Sequence, residues 1–303
     1  MVLLCCLGLA SVSGPATAAS APRPNIIYIL SDDMGFSDLG CYGGEIATPN
    51  LDALAAGGLR FTQFYNTARC CPTRASLLTG LYPHQAGVGH MVDSKKGGPG
   101  YQNDLNRHCV TIAQVLKPAG YRNYAVGKWH VGDRVSPIAR GFEEFYGFVS
   151  GYAVDSWEPR MMTRLPEGRP ERSYKAGEFF ATDAITDHAL DFLAEFRSGK
   201  PAPWLLYVAY QAPHFPLQSR KDDMAGYAEI YAQGWDKIRE QRLARQKQLS
   251  LVPQDTPLRP RTKIPHPVAA KRLGSWTNDG MNPAWDSLPA ERRADLAQRM
   301  AVY

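Results

Sequence analysis

Hydrophobic residues cluster along the chain in short runs that predict strands. Residues 24–30 and 204–210 are runs dominated by apolar side chains, several of them β-branched, which is typical of strands buried on both faces of a parallel sheet. Residues 121–126 form a further predicted strand. Residues 60–65 place aromatic side chains between polar ones, and this alternation also predicts a strand.

Helices are predicted between these strands from capping residues and from apolar positions at helical spacing. Thr48 caps a helix that begins at Pro49, and Thr111 begins a short helix that ends before Gly120. The helix at 182–197 is capped by Thr182 and strongly amphipathic. Its predicted core stripe consists of Ile185, Leu190, Leu193 and Phe196. The helix that begins at Pro49 has a predicted apolar face made of Leu51, Leu54, Ala55 and Leu59. Further helical segments are predicted at 222–249 and 288–303.

The composition is that of an ordinary folded protein. The 303 residues are 44% hydrophobic and 21% charged, enough for one large α/β domain or two small ones. A net charge of +5, without a basic stripe, argues against nucleic-acid binding. Residues 141–178 are aromatic and charged without clear periodicity, and we expect them to shape a pocket.

The first 21 residues are typical of a secretory signal peptide. Residues 2–10 form an apolar core too short to span a membrane, and Ala16-Thr17-Ala18 supplies small residues for cleavage, although no Lys or Arg precedes the core. We therefore predict an exported protein, secreted or periplasmic, whose mature chain is 22–303. That chain keeps four cysteines without the Cys-x-x-Cys spacing of a zinc site, and their pairing stays open: Cys41, Cys70, Cys71 and Cys109.

Polar side chains follow three of the predicted strands. Asp32 and Asp33 come directly after the first, where α/β proteins place ligands; the pair suits a hard divalent cation or, alternatively, an exposed loop that caps a helix. Lys128 and His130 stand at alternate positions past another strand, so their side chains point to the same side. His214 follows the last strand. Taken singly, these residues are as well explained by surface or structural roles.

Cys70 stands at the start of a predicted helix that ends at Gly80. A helix N-terminus attracts anions through its unpaired N–H groups and the helix dipole, and Arg74 is one turn further on, close enough to reach back to residue 70. A buried thiol or half of a disulfide is the alternative explanation for the Cys70-Cys71 pair.

The segment from Cys70 to Gly80 resembles the signature of the sulfatase family. It matches Cys-x-Pro-x-Arg followed by x-x-x-Leu-Thr-Gly at every fixed position. The chain is similar to the family at three further motifs: Thr-Pro-Asn-Leu-Asp at 48–52, Gly-Lys-Trp-His-x-Gly at 127–132 and Ala-Pro-His at 212–214. The resemblance implies an α/β fold of the alkaline-phosphatase-like class, with a mostly parallel central sheet flanked by helices on both faces.

The resemblance also implies a set of functional residues. A maturation enzyme would oxidise Cys70 to formylglycine, whose hydrate attacks the sulfur of a sulfate ester, and Asp32, Asp33 and residue 70 would bind one calcium ion. Further roles follow for the four remaining site residues: Arg74 stabilises the attacking oxygen, Lys128 binds sulfate, His130 helps the hydrate lose its proton, and His214 protonates the leaving alcohol.

Sulfatases continue beyond the matched region through an Asp-Asn metal pair, a second sulfate-binding Lys and a smaller C-terminal domain. None of these is in the sequence, so we expect a fold that is incomplete at the C-terminus and a chain that is the N-terminal catalytic domain of a longer protein. Asn278-Asp279-Gly280 has the right residue types in reverse order and is not assigned to the metal.

The function implied is hydrolysis of a sulfate ester, either a small molecule or a sulfated glycan. A phosphoester or phosphonate hydrolase of the same superfamily and a non-catalytic anion-binding protein are the alternatives. A structural secreted module would leave the four motifs unexplained. The segments expected to form the substrate pocket are 87–106 and 143–175, whose sequences do not indicate which ester is cleaved.

Overall fold

The computed structural model describes residues 23–94, 96–132, 134–149, 151, 155–261 and 283–303. The predicted signal peptide and the segment Asn278-Asp279-Gly280 lie outside these ranges. The strands are β1 Ile26–Leu30, β2 Arg122–Lys128, β3 Glu144–Phe148, β4 Thr163–Leu165 and β5 Trp204–Ala209. The α-helices are α1 Pro49–Ala56, α2 Cys70–Thr79, α3 Ile112–Leu116, α4 Ala181–Ser198, α5 Tyr227–Ala232, α6 Trp235–Gln248 and α7 Ala290–Val302.

The strands form one sheet in the order β1-β5-β2-β3-β4. Strands β1, β5, β2 and β3 run parallel to one another, and β4 pairs antiparallel with β3. In this register Ala209 of β5 lies opposite both Leu30 of β1 and Gly127 of β2. The carboxyl ends of the three strands therefore meet at one edge of the sheet, where α/β proteins bind ligands.

Both faces of the sheet are covered at β5. The prediction that the first strand is buried on both faces was wrong, because Ile27 and Ile29 of β1 are 47% and 55% exposed. Residues Leu205, Tyr207 and Ala209 of β5 face a core shared with α2 and α3, whereas Leu206 and Val208 face a core shared with α4. This alternation explains why the strand reads as a continuous hydrophobic run. The predicted α/β class, a mostly parallel sheet with helices on both faces, is confirmed.

Two glycines allow the strands to approach closely at the site edge. Gly127 has φ +93°, and a Cβ there would lie 1.9 Å from the carbonyl oxygen of Ala209. Gly147, its partner on β3, has φ +150°, and its Cβ would lie 2.0 Å from the carbonyl oxygen of Gly127. Only glycine satisfies both constraints, so the glycine before Lys128 is a requirement of the fold.

Most predicted helices are confirmed, with corrections to their ends and faces. Thr111 forms a capping box with Gln114 at the start of α3, as its position predicts. Helix α4 begins earlier than expected: Phe180 is its N-cap, and Thr182 lies inside the helix. Leu190 is 55% exposed and does not belong to the core stripe. The stripe is centred instead on residues spaced three or four apart, Ile185, Ala189, Phe192 and Phe196.

The strand predicted at 60–65 was wrong. The segment is irregular, with Phe61 57% and Phe64 76% exposed, and it pairs with no strand of the described sheet. The segment has the alternation of aromatic and polar residues that is typical of a strand, but a strand forms only where a neighbouring strand pairs with its backbone N–H and C=O groups. The predicted apolar face of α1 is likewise not a core face, because Leu54 is 66% exposed and no residue of α1 is buried.

Residues 141–178 were only partly a pocket-forming insertion, because β3 and β4 lie within them. The helical segment predicted at 222–249 divides at Gly234 into α5 and α6, which pack with α7 around Trp285. The helix predicted at 288–303 is confirmed as α7. Among the helices of the described ranges, none is both long and apolar enough to cross a lipid bilayer.

Candidate active site

The predicted site residues gather at the carboxyl edge of the sheet. Asp32 and Asp33 follow β1, Lys128 is the last residue of β2, and His214 lies in the loop after β5. Backbone hydrogen bonds join these loops: Tyr210 N donates to the Leu30 carbonyl, and Asp32 N donates to the Ala212 carbonyl. The strand register thus positions side chains as far apart in sequence as Asp32 and His214.

Asp32 lies between two cations in the interior. Its Oδ2 is 2.5 Å from Lys128 Nζ and 3.5 Å from Arg74 Nη2. Lys128 is 0%, Arg74 1% and Asp32 5% exposed, so water screens these charges little. Two buried cations share one carboxylate, and the cluster keeps a surplus of positive charge.

Arg74 is held by groups on the sheet. Its Nη1 donates to the carbonyl oxygen of Lys128 at 2.6 Å and to the hydroxyl of Tyr207 at 3.3 Å. The expectation that Arg74 reaches back to residue 70 is not met, since its hydrogen bonds and ion pair go to β2, β5 and the loop after β1. Helix α2 therefore docks on the sheet through the Arg74 side chain, which orients the helix start at Cys70.

Cys70 is the first residue of α2 and is partly buried. A hydrogen bond from the Cys71 thiol, a hydrogen bond and charge from His130, and the charge of Lys128 lower the pKa of Cys70 well below its usual range, although burial opposes this. The same contact with Cys70, together with burial, raises the pKa of Cys71. The two neighbouring thiols thus differ in chemistry: Cys70 favours the thiolate, and Cys71 stays protonated.

His130 and Asp33 have unusual backbones. Their φ values are +52° and +68°, in the left-handed region that few non-glycine residues adopt and that is concentrated at functional sites. The backbone N of His130 donates to the carbonyl of Val149. His130 is 4% exposed, and its Nδ1 is buried without a hydrogen-bond partner among the residues that the structure describes. The fold therefore fixes the imidazole beside Cys70.

His214 contacts the second carboxylate of the pair. Its Nε2 lies 3.7 Å from Asp33 Oδ2, and its Nδ1 donates to the carbonyl of Phe215 at 2.5 Å. Because a carbonyl only accepts, the hydrogen of Nδ1 is assigned, and Nε2 is the atom that gains or loses a proton. His214 lines a cleft of about 160 Å³ together with α4 residues and the 211–219 loop.

The structure offers two different sets of metal donors. Asp32 and Asp33 present carboxylate oxygens, which fit calcium in kind but supply only part of the six to eight oxygens that the ion prefers. Cys70, Cys71 and His130 form a second group, whose ligand atoms lie within 4.8 Å of one another. All four cysteines in the described ranges are free thiols.

Two residues of this site were missed from the sequence. Tyr207 binds Arg74 from the middle of β5, and its alternation with Leu205 and Ala209 could have assigned it to the α2 face. Met91 places its sulfur 3.8 Å from both Cys70 Sγ and Cys71 Sγ. It lies in the glycine-rich loop 87–106, which was expected over the site, but no pattern within that loop singles it out.

A family model described as Sulfatase matches residues 24–278. This chain belongs to the sulfatase family. An uncharacterized sulfatase of Schizosaccharomyces pombe is 33% identical over 309 residues, covering 94% of this chain and 52% of its own length. An arylsulfatase of Klebsiella aerogenes is 33% identical over 302 residues, covering 96% of this chain and 61% of its own.

A similar solved structure is that of Ps i-CgsB in complex with k-i-k-neocarrahexaose. It is 30% identical with a TM-score of 0.59, and the likeness covers 76% of this chain and 54% of that one. The chain thus spans between 52% and 61% of the length of the relatives named above.

Proposed function

We propose that this protein hydrolyses sulfate esters, with residue 70 as the position of the nucleophile. The observation that carries the proposal is the meeting of Cys70, His130 and Lys128 at the start of α2, within a chain of the sulfatase family. A helix N-terminus and buried cations both favour an anionic ligand here.

A separate maturation enzyme converts Cys70 to formylglycine after translation, and residues 1–21 direct export of the protein. The hydrated aldehyde supplies an oxygen nucleophile and later releases sulfate by re-forming the carbonyl. Asp32, Asp33 and the residue-70 oxygen would hold part of the coordination shell of a calcium ion, which would supply positive charge that favours the ionised nucleophile. The carboxylate oxygens of the aspartates support this assignment.

The remaining roles follow from charge and proton positions. Lys128 binds the sulfate oxygens and neutralises the charge that develops on them, and Arg74 adds positive potential at the residue-70 oxygen. His130, fixed beside residue 70, accepts the proton of the nucleophile. His214 carries its transferable proton on Nε2 and donates it to the leaving alcohol, and this nitrogen lies 3.7 Å from Asp33 Oδ2.

The substrate class is a sulfate ester of a small molecule or a glycan. The cleft beside His214 is the candidate position for the alcohol part of the ester. The complex of the relative Ps i-CgsB with k-i-k-neocarrahexaose supports testing an oligosaccharide sulfate.

The test uses the full chain produced together with a formylglycine-generating enzyme. Peptide mass spectrometry reports the state of residues 70 and 71, and nitrophenyl sulfate and nitrophenyl phosphate report turnover. We expect conversion at residue 70 only, faster turnover of the sulfate, and loss of turnover in Cys70→Ala. Cys41→Ser, which alters a thiol outside the site, is the matched control and should keep full activity.

Three results would overturn the proposal. Turnover by a chain with intact Cys70 would exclude the formylglycine route. Faster turnover of the phosphate ester would indicate a phosphohydrolase. Complete conversion with binding of the sulfate ester but no turnover would make the chain an anion-binding protein.

A further inference from the structure

Four side chains with soft or borderline donor atoms converge around the start of α2. Cys70 Sγ and Cys71 Sγ each lie 3.8 Å from Met91 Sδ. A ring nitrogen of His130 lies within 4.8 Å of both thiol sulfurs. Cys71 is 0% and His130 4% exposed, and His130 Nδ1 is buried without a hydrogen-bond partner. Three separate segments, α2, the 87–106 loop and the turn after β2, thus supply donors to one shielded point.

The spacing of these donors fits a tetrahedral metal. With metal–sulfur bonds of about 2.3 Å, two sulfur ligands of a tetrahedron lie about 3.8 Å apart. The two thiol–thioether separations have this length. The separations among the two thiol sulfurs and the His130 ring nitrogen, all within 4.8 Å, would close by at most about 1.2 Å when an ion binds. The side chains therefore need little rearrangement to enclose an ion.

We propose that the chain with unconverted Cys70 binds one soft metal ion, Cu(I), through Cys70, Cys71, Met91 and His130. Thiolate and thioether ligands select Cu(I), whereas the oxygen donors that calcium needs are absent from these four side chains. On binding, each ligating thiol loses its proton to solvent, and the copper stays Cu(I) throughout. The resulting site of two thiolates and one monovalent cation carries one negative charge, which the neighbouring ammonium of Lys128 offsets.

The site belongs to the thiol form of the protein and does not depend on whether the chain hydrolyses sulfate esters. If Cys70 is converted as proposed above, the site loses one of its two thiolates. Bound copper and conversion of residue 70 then exclude each other, because both need the same sulfur atom. The proposal therefore adds a second state of the site, in which a soft ion masks the thiol that would be modified.

The test is an anaerobic titration of the reduced full chain, produced without a maturation enzyme, with Cu(I) in the presence of bicinchoninate as competing chelator. We expect one ion per chain, at least about tenfold weaker binding in Met91→Leu, and a larger loss in Cys70→Ser. Cys41→Ser is the matched control and should bind as the unaltered chain does. Unchanged binding in both Met91→Leu and Cys70→Ser would overturn the proposal.

X-ray absorption on the copper-loaded unaltered chain keeps the test independent of how the variants fold. We expect at least two sulfur ligands at about 2.3 Å together with a nitrogen ligand. A first shell with one sulfur or none would refute the site, as would a failure of the unaltered chain to compete with the chelator.

Discussion

The charge balance around Asp32 makes a sharp prediction about stability. Asp32→Asn removes the only carboxylate that contacts both Lys128 and Arg74 within the described ranges, and it leaves two cations in the interior. Breaking a buried pair in this way costs about 3–5 kcal/mol of unfolding free energy. Both variants are made in a Cys70→Ala background, which removes the thiolate. There Lys128→Met keeps the buried alkyl stem and leaves Asp32 with Arg74, so no charge is stranded. We expect that variant to lose at most about 2 kcal/mol, the value of one charged hydrogen bond.

The double variant Asp32→Asn with Lys128→Met separates charge balance from packing. It removes one negative and one positive charge, so its loss should be smaller than the sum of the single losses by at least about 2 kcal/mol. Urea unfolding with EDTA at pH 7 measures all three. A loss of 3–5 kcal/mol lowers the midpoint by about 1 M or more. Equal losses in the two single variants, or a strictly additive double variant, would refute the charge-balance reasoning.

Three further outcomes are expected. The rate at which iodoacetamide alkylates Cys70 should change little between pH 6 and 8 because its pKa is lowered, whereas the rate at Cys109, whose pKa burial raises, should increase about tenfold per pH unit; equal slopes in peptide mass spectrometry would contradict this. Tyr207→Phe removes an acceptor of Arg74 and should cost about 1 kcal/mol in urea unfolding, and an unchanged midpoint would show that the hydroxyl contributes nothing. Burial lowers the pKa of His188, so the unfolded chain binds the proton more tightly, and the contribution of neutral His188 to the unfolding free energy should be full above pH 6.5 and decrease below it. His188→Gln should therefore reduce the dependence of the urea midpoint on pH between pH 7 and 5, and an unaltered dependence would contradict this.

The sequence predicted the central strands well because of where they lie. Strand β5 is buried between helices, so its hydrophobic run is long enough to identify without any knowledge of its neighbours. Strand β1 has an equally apolar run, although one of its faces is exposed at Ile27 and Ile29. Strand β3 is buried like β5 but begins with Glu144, which breaks the hydrophobic pattern. That carboxylate is accommodated by Arg164 and Arg169, on or just after β4. Such a pairing depends on the tertiary structure and cannot be predicted from the local sequence.

The candidate site was likewise predicted only in part from the sequence. Motif matches named Asp32, Lys128 and His214 individually, and the sheet register explains why they meet at one edge. The motifs did not indicate that Arg74 binds the sheet instead of residue 70, nor that Met91 lies against the thiols, because both depend on how α2 and the 87–106 loop pack.

The balance of charge links the two states of residue 70. Lys128 and Arg74 carry two positive charges against the one negative charge of Asp32, and a thiolate at Cys70 brings this group of four to neutrality. Replacing the thiolate by an uncharged carbonyl group would leave one positive charge uncompensated in an interior where screening is weak. A bound anion, or the negative charge that develops in the transition state of ester cleavage, restores the balance. The same cations that favour the thiolate before conversion would therefore favour an anionic substrate after it, and Lys128, which interacts with both Asp32 and Cys70, is the residue through which this exchange acts.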